Sequence, residues 1–129
     1  MRRRGGSLRL SAFKRKGAKL NWAIFEALAK NQPLTAYEIY KHVRKRAVHR
    51  RKLYSVINRR VRSLAENGYL RRAGQKRIKA GFEAPVYSLT PKAYLAILLS
   101  QLDLEKVLEK IDDAKALQLI GLLLEMSVS

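Results

Sequence analysis

Two stretches decide the fold: residues 55–70 read SVINRRVRSLAENGYL, and residues 86–93 read VYSLTPKA. Apolar residues recur at helical spacing through the first stretch until Gly68, a residue type that readily ends a helix in the left-handed conformation. The short apolar runs on either side of residues 74–85 have the length of strands, and Thr90 before a proline is a helix start signal. The sequence therefore predicts helix, strand, strand and helix in that order.

Three helices are predicted ahead of the first strand. Residues 18–30 carry apolar side chains on one face, and Thr35 with Glu38 forms a capping box that starts a second helix. A third helix is predicted over residues 50–67. Its core side is expected to hold Leu53, Ile57, Val61 and Leu64. Three short helices in this order fit a helix-turn-helix core.

Beyond Gly68 the hydrophobic period changes to that of strands. Residues 69–73 and 86–89 are predicted to pair as a hairpin around a basic loop. A further helix is expected over residues 91–102, and residues 103–126 continue as helix, with Asp112-Asp113 as the candidate break and cap. The predicted fold class is mainly α with one small β-hairpin.

Charge is distributed unevenly along the chain, which has a formal net charge of +18. Residues 1–100 hold 25 of the 28 Lys and Arg but four acids, whereas residues 101–129 hold three Lys and six acids. The many positive charges of residues 1–100 repel one another unless a polyanion neutralises them. This indicates nucleic acid or an anionic membrane as the partner. The longest apolar runs, residues 93–99 and 119–124, are far shorter than the roughly 20 residues of a membrane span. Nucleic acid is therefore the predicted partner, and binding to a membrane is not predicted.

Catalysis, cofactors and metal ions find no support in the sequence. The chain has no cysteine nucleophile, no glycine-rich phosphate loop and no paired carboxylates outside the acidic tail. His42 and His49 have no second type of ligand at metal spacing. We therefore predict a protein that is not an enzyme and holds no cofactor or metal. The lack of cysteine and of a signal peptide fits a cytoplasmic, nucleoid-associated protein.

The face of the third helix opposite its core side carries hydrogen-bonding side chains. A count at about 100° per residue puts Arg51, Ser55, Asn58 and Arg62 in one stripe. Such a helix fits the major groove of DNA, where Arg reads guanine, Asn reads adenine and Ser is adaptable. Phosphate contacts are expected from Lys52, Arg59 and Arg62 beside the stripe and from Gln75, Lys76, Arg77 and Lys79 in the hairpin loop. The N-terminal arm, with Arg2, Arg3 and Arg4, is expected to track DNA, with the minor groove as the candidate position. Arg60 falls near the core side, where it is expected to reach water or pair with a carboxylate.

The run from Ser55 to Leu70, followed by the run from Val86 to Ala93, resembles the recognition helix, wing and next helix of winged helix-turn-helix regulators. PadR-like and MarR-like repressors and many archaeal regulators are similar, and the resemblance covers residues 18–94. It implies a recognition helix at 50–67, a wing at 74–82 on the DNA backbone or in the minor groove, and a homodimer on a roughly palindromic site. The implied domains are a basic flexible arm at 1–17, a winged helix-turn-helix domain at 18–90 and a C-terminal helical dimerisation region at 91–129.

The Leu-rich C-terminal region is predicted to pair two copies of the chain through residues 91–126, because its apolar side chains surround the helix. The leading interpretation is a sequence-specific transcription regulator that binds double-stranded DNA as this dimer. The alternative is a structural protein that coats DNA without sequence preference or belongs to a ribonucleoprotein. An adaptor that contacts only protein explains the C-terminal region but not the charge.

Overall fold

The computed structural model describes residues 11–13, 17–79 and 81–128 of the chain. Its helices are α1 Ala18–Asn31, α2 Ala36–Arg44, α3 Tyr54–Glu66, α4 Pro91–Gln101, α5 Leu104–Lys110 and α6 Asp113–Ser127. Its strands are β1 Leu34–Thr35, β2 Leu70–Arg77 and β3 Glu83–Leu89. Short 3₁₀ helices at Ser11–Phe13 and Ala47–His49 precede α1 and α3. The prediction of a mainly α protein is confirmed, and the predicted β-hairpin is part of a small three-stranded antiparallel sheet.

The sheet has three strands, with β3 between β1 and β2. The two residues of β1 pair with Val86 and Tyr87 of β3. On the other side, β2 pairs with β3 from Leu70 to Arg77, with one irregularity after Arg72. The sequence does not predict β1, because two residues are too few to form an alternating pattern.

One hydrophobic core joins α1, α2, α3, the sheet and α4. Its fully buried side chains include Ile24, Phe25, Leu28, Ile39, Val43, Ile57, Val61 and Leu70. The core side predicted for α3 is correct for three of its four residues, whereas Leu53 is 66% exposed. Phe13, in the segment assigned by sequence to the basic arm, is buried and stacks on Trp22 with ring centroids 4.5 Å apart. Residues 12 and 13 therefore belong to the core.

The predicted start and stop signals are confirmed. The hydroxyl of Thr35 accepts from the N–H of Glu38 at 3.1 Å, and Oε1 of Glu38 accepts from the N–H of Thr35 at 2.9 Å, which completes the capping box of α2. Gly68 lies two residues after the end of α3 and stops the helix in the left-handed conformation, with φ of +85°, which glycine adopts without strain. At the start of α4, Thr90 Oγ1 accepts from the N–H of Ala93 at 3.2 Å.

The predicted start of the third helix at residue 50 is wrong, because α3 begins at Tyr54. The N–H of Lys52 donates to the carbonyl of His49 at 3.1 Å, so a turn follows the 3₁₀ helix. Leu53 is then extended, with φ of −81° and ψ of 151°, and serves as the N-cap. His49 is buried at 3% exposure and anchors the turn, which apolar periodicity does not reveal. Arg51 and Lys52 consequently precede the helix.

The hairpin is also longer than predicted. Because β2 extends to Arg77, the predicted loop residues Gln75 and Lys76 lie within a strand, and Lys79 lies in the connection. Gly74 has φ of +129°, which allows the strand to pass through an irregularity and resume pairing at Gln75. In the sequence Gly74 indicates the start of a loop, whereas in the structure it lies within β2.

The chain divides into two compact units. The larger unit ends at Ser100 and contains the sheet with the helices up to α4, whereas the smaller contains α5 and α6. Neither α5 nor α6 has a buried residue. The predicted break near Asp112 is present, and Oδ1 of Asp112 accepts from the N–H of Lys115 at 2.8 Å at the start of α6. In the part of the chain that the structure describes, every helix is too short or too polar to cross a membrane.

Candidate nucleic-acid interface

The buried residues of α3 determine which side of the helix is exposed. Its three core side chains are at most 4% exposed. The opposite side carries Ser55, Arg59 and Arg62 at i, i+4 and i+7, and all three are exposed. We call these three residues the α3 face. Of the three, Arg59 lies most directly opposite the core side, although the sequence count places this residue beside the stripe.

The other predicted residues of the stripe lie off this face. Asn58 is half-buried on the flank of α3 towards α2, and Arg51 and Lys52 lie in the preceding turn, the first exposed and the second half-buried. Nε of Arg44 donates to the carbonyl of Arg50 at 2.9 Å and so holds this turn against the end of α2. The predicted helical stripe that includes Arg51 is therefore wrong, although its side chain remains at the surface.

Strand β2 presents exposed cations beside α3. The exposed residues of the hairpin include Arg71, Arg72, Gln75, Lys76, Arg77 and Lys79. Arg62 and Glu66 of α3 line one groove together with Arg71 and Arg72 of β2 and Tyr87 of β3, so the described residues give this groove three cations and one acid. The groove brings cations of the α3 face and of the hairpin together on one surface.

Lys76 differs from the other hairpin cations because it has an acidic partner. Its ammonium group forms an ion pair with Oε2 of Glu38, at the start of α2. Burial opposes ionisation of Glu38, but hydrogen bonds from Lys76 and Thr35 and the attraction of the ammonium outweigh it, so the pKa of Glu38 is lowered. Glu38 is therefore ionised at neutral pH, and the ion pair ties the hairpin to α2.

Three tyrosines, which the sequence pattern does not single out, join α2 to the start of α3. The ring centroids of Tyr37, Tyr40 and Tyr54 lie 5.6, 6.0 and 5.4 Å apart in pairs. Tyr37 is 54% exposed and Tyr54 39% exposed. Lys41 Nζ lies 5.7 Å from the Tyr37 ring, and Arg44 Cζ lies 5.3 Å from the Tyr40 ring. The i, i+3 spacing in α2 was an available signal, but the contact with Tyr54 depends on the fold.

Arg60 lies on the flank of α3 that faces α1. Its Nη1 donates to the carbonyl of Gly17 at 3.2 Å and to Oδ1 of Asn21 at 2.8 Å. The expectation that it pairs with a carboxylate is therefore wrong, whereas the half-buried side chain lines an open pocket and so still reaches solvent. Two neutral oxygens near the start of α1 hold its guanidinium instead.

His49 is a buried imidazole beneath the turn ahead of α3. Its Nδ1 has no hydrogen-bond partner among the described residues. Burial lowers the pKa of His49, a backbone hydrogen bond at Lys19 opposes this shift, and the charges of Lys52, Arg46 and Lys19 reinforce it. The neutral form is therefore favoured in the folded protein.

Acidic partners are few on this surface. Glu26 is paired with Arg46 and Glu38 with Lys76, and the described residues contain no further ion pair. Arg2, Arg3 and Arg4, which are predicted to contact DNA from the arm, lie outside the described residues.

Compared with known proteins, the sequence matches no protein-family profile, and no curated protein is significantly similar to it.

Proposed function

We propose that the protein is a sequence-specific regulator that binds double-stranded DNA as a homodimer, with α3 in the major groove and the β2–β3 hairpin on the backbone or in the minor groove. One observation carries the proposal: Arg62 of the α3 face and Arg71 and Arg72 of the hairpin line a common groove. A polyanion that contacts one of these elements therefore meets the other.

The order of the elements supports a winged helix-turn-helix arrangement. A turn joins α2 to α3, the β2–β3 hairpin follows α3 directly, and β1 adds a third strand from ahead of α2. The second helix of a helix-turn-helix enters the major groove of DNA. That helix corresponds to α3, whose exposed side is rich in hydrogen-bonding groups.

The side chains on the α3 face suit the recognition of base edges. Arg59 and Arg62 can each donate two hydrogen bonds to guanine, and the hydroxyl of Ser55 can donate or accept. Asn58 supplies an amide at the edge of this face. Tyr54 adds an exposed ring beside it, and apolar surface of this kind contacts the methyl group of thymine. This mixture of groups favours sequence-specific recognition over contact with phosphates alone.

The hairpin supplies the phosphate contacts in this proposal. Arg71, Arg72 and Arg77 are exposed and form no ion pair with any residue in the described ranges. Each phosphate neutralised by such a side chain releases counterions, so affinity for duplex DNA should fall steeply as salt rises. Contact with about 6–10 phosphates lowers affinity by about 10³–10⁵ between 50 and 200 mM salt.

Selection of bound fragments from random duplex DNA by the full chain tests the proposal. We expect an enriched site with approximate two-fold symmetry and an affinity that depends steeply on salt. Strong, salt-dependent binding without an enriched sequence would favour a protein that coats DNA. Preference for an RNA pool over the duplex pool would favour a ribonucleoprotein component. Affinity that hardly changes with salt would contradict the proposed use of the cations.

A further inference from the structure

A second surface pocket lies on the flank of α3 that faces α1, about 100° around the helix from Arg59. It is open, with a volume of about 440 Å³, in the range of sites for small ligands. The start of α1, the flank of α3, the residue ahead of β2 and the start of α4 form its walls. The side chains and backbone that matter here belong to Gly17, Asn21, Arg60, Ser63, Tyr69 and Lys92. We call this the Arg60 pocket.

Among the residues that the structure describes, two cations and no acid line the Arg60 pocket. All of these lining residues are neutral apart from Arg60 and Lys92. The partners of Arg60 are a carbonyl and an amide oxygen. Lys92 Nζ donates to the carbonyl of Asn67 at 2.8 Å and lies 4.8 Å from the ring centroid of Tyr69. Both cations are thus oriented by neutral groups, and their charge remains uncompensated within the pocket.

The position of the Arg60 guanidinium is built into the fold. Asn21 is only 7% exposed, and its Nδ2 donates to the carbonyl of Ala12 at 2.6 Å while its Oδ1 accepts from Arg60. A Cβ atom added at Gly17 would overlap the guanidinium, so the absence of a side chain there leaves the space that Arg60 fills. A buried amide and a glycine therefore hold a cation at the pocket wall.

We propose that the Arg60 pocket binds a phosphate group, either free or carried by a small metabolite. A phosphate monoester has a charge between about −1.5 and −2 at neutral pH and three strong acceptor oxygens. It can therefore match both cations and also accept from the hydroxyl of Ser63, whereas a carboxylate offers one charge and two oxygens. A volume of about 440 Å³ suits a small phosphate ligand, and the phosphates of a bound duplex are the competing source of the same chemistry.

Nuclear magnetic resonance titration of the full chain without DNA tests this site separately from DNA binding. Sodium phosphate and glycerol 3-phosphate are the two probes, and sodium chloride at the same ionic strength is the reference. We expect saturable shifts of the Arg60 Nε–H and Gly17 amide signals with at least one phosphate probe. Saturation by inorganic phosphate identifies the free ion as sufficient, and saturation by the ester alone identifies a metabolite. Equal shifts in chloride, or no saturation with either probe, overturn the proposal.

Matched substitutions locate the binding. Lys92→Gln removes an exposed cation of the pocket and is expected to weaken phosphate binding about tenfold or more, since a charged hydrogen bond is lost. Arg60→Gln should weaken it similarly, whereas Arg72→Gln removes an exposed cation of the hairpin and should not. Equal weakening by Lys92→Gln and Arg72→Gln would mean general charge attraction and contradict a site. Displacement of bound phosphate by a short DNA duplex would assign the pocket to nucleic acid and overturn the small-ligand proposal.

Discussion

Glu38 uses its two carboxylate oxygens for two structural tasks. Oε1 accepts from the N–H of Thr35 at 2.9 Å and closes the capping box of α2, while Oε2 binds the ammonium group of Lys76 on the hairpin. The first task needs only an acceptor, which a glutamine also provides. The second needs the negative charge. A glutamine at this position therefore separates helix capping from attachment of the hairpin.

We predict that Glu38→Gln strengthens duplex DNA binding because it releases Lys76 to contact a phosphate, steepening the slope of log affinity against log salt by about 1. The free energy of unfolding should fall by no more than about 1 kcal/mol, since the ion pair is partly exposed and the cap remains. Glu109→Gln is the control, because it removes the same charge from an exposed residue of α5, outside the unit that holds the α3 face and the hairpin, that forms no ion pair with another described residue. Equal gains in affinity for the two variants would show an effect of net charge alone.

His49 makes stability depend on pH. Its pKa is lowered in the folded protein by burial, so the unfolded chain takes up a proton at a higher pH than the folded one does. The stability that the neutral imidazole contributes is present above its ordinary pKa of 6.5 and is lost as pH falls from there through the folded value. The turn that His49 anchors lies directly ahead of α3.

We therefore expect the free energy of unfolding in urea to decrease between pH 7 and pH 5, and His49→Gln to flatten this decrease. The free energy of the variant at pH 7 can be lower because an amide fills the site less well, but the readout is the difference between the two pH values. His42→Gln removes the other histidine of the chain and should leave the pH dependence in place. If His42→Gln flattens it and His49→Gln does not, the assignment is wrong.

The α3 face and the hairpin should respond differently to substitution, since base contacts specify a site and phosphate contacts position the protein. We predict that Arg59→Ala costs about 1–3 kcal/mol on the preferred site and relaxes the sequence preference at one position. Arg71→Ala should weaken all sequences alike and reduce the salt slope by about 1. Quantitative binding to the preferred duplex and to a scrambled duplex measures both. A sequence-dependent loss for Arg71→Ala with none for Arg59→Ala would reverse the two roles.

Local chemistry predicts most of the elements but few of their ends. The capping box of α2, Gly68 after α3 and Thr90 before α4 depend on neighbours within a few residues, so they can be identified from sequence alone. The start of α3 depends instead on burial of His49 against residues distant in the chain. The extension of β2 past Gly74 depends on pairing with β3. Signals of this second kind exist only once the fold has formed.

The residues of the candidate site likewise include some that local sequence signals predict and others that only the folded chain brings together. Arg62 and Ser55 could be assigned from the helical period, which three buried apolar residues set correctly. The stripe predicted from the sequence leaves Arg59 to one side because it runs through Arg51, which lies ahead of α3. The tyrosine cluster joins residues of α2 to Tyr54, and the Arg60 pocket joins four elements. No spacing rule within one helix predicts contacts of that kind.

The two units of the chain differ in charge and in burial. Residues 101–129 hold three Lys and six acids, so this part of the chain is net acidic, in contrast to the basic residues 1–100. Its α6 has many exposed apolar side chains, among them Leu117, Leu119, Ile120, Leu122, Leu123 and Leu124, each at least 43% exposed. Soluble monomers rarely leave a contiguous apolar patch of more than a few hundred Å² in water. A second copy of the chain removes such a patch without recruiting a different partner.

We predict that the full chain is a dimer at micromolar concentration and that Leu123→Glu converts it to a monomer. In a two-fold symmetric interface each substitution occurs twice, so two carboxylates are placed in an apolar contact and repel each other across it. Gln118→Glu adds the same charge to an exposed polar position of α6 and should leave the dimer intact. Sedimentation equilibrium of the three proteins measures this directly. A two-fold dimer also sets two recognition helices about 34–36 Å apart, one turn of B-DNA, or a multiple of it, so the monomeric variant should lose preference for a symmetric site. A monomeric parent protein, or a Leu123→Glu variant that still dimerises, would remove α6 from the interface.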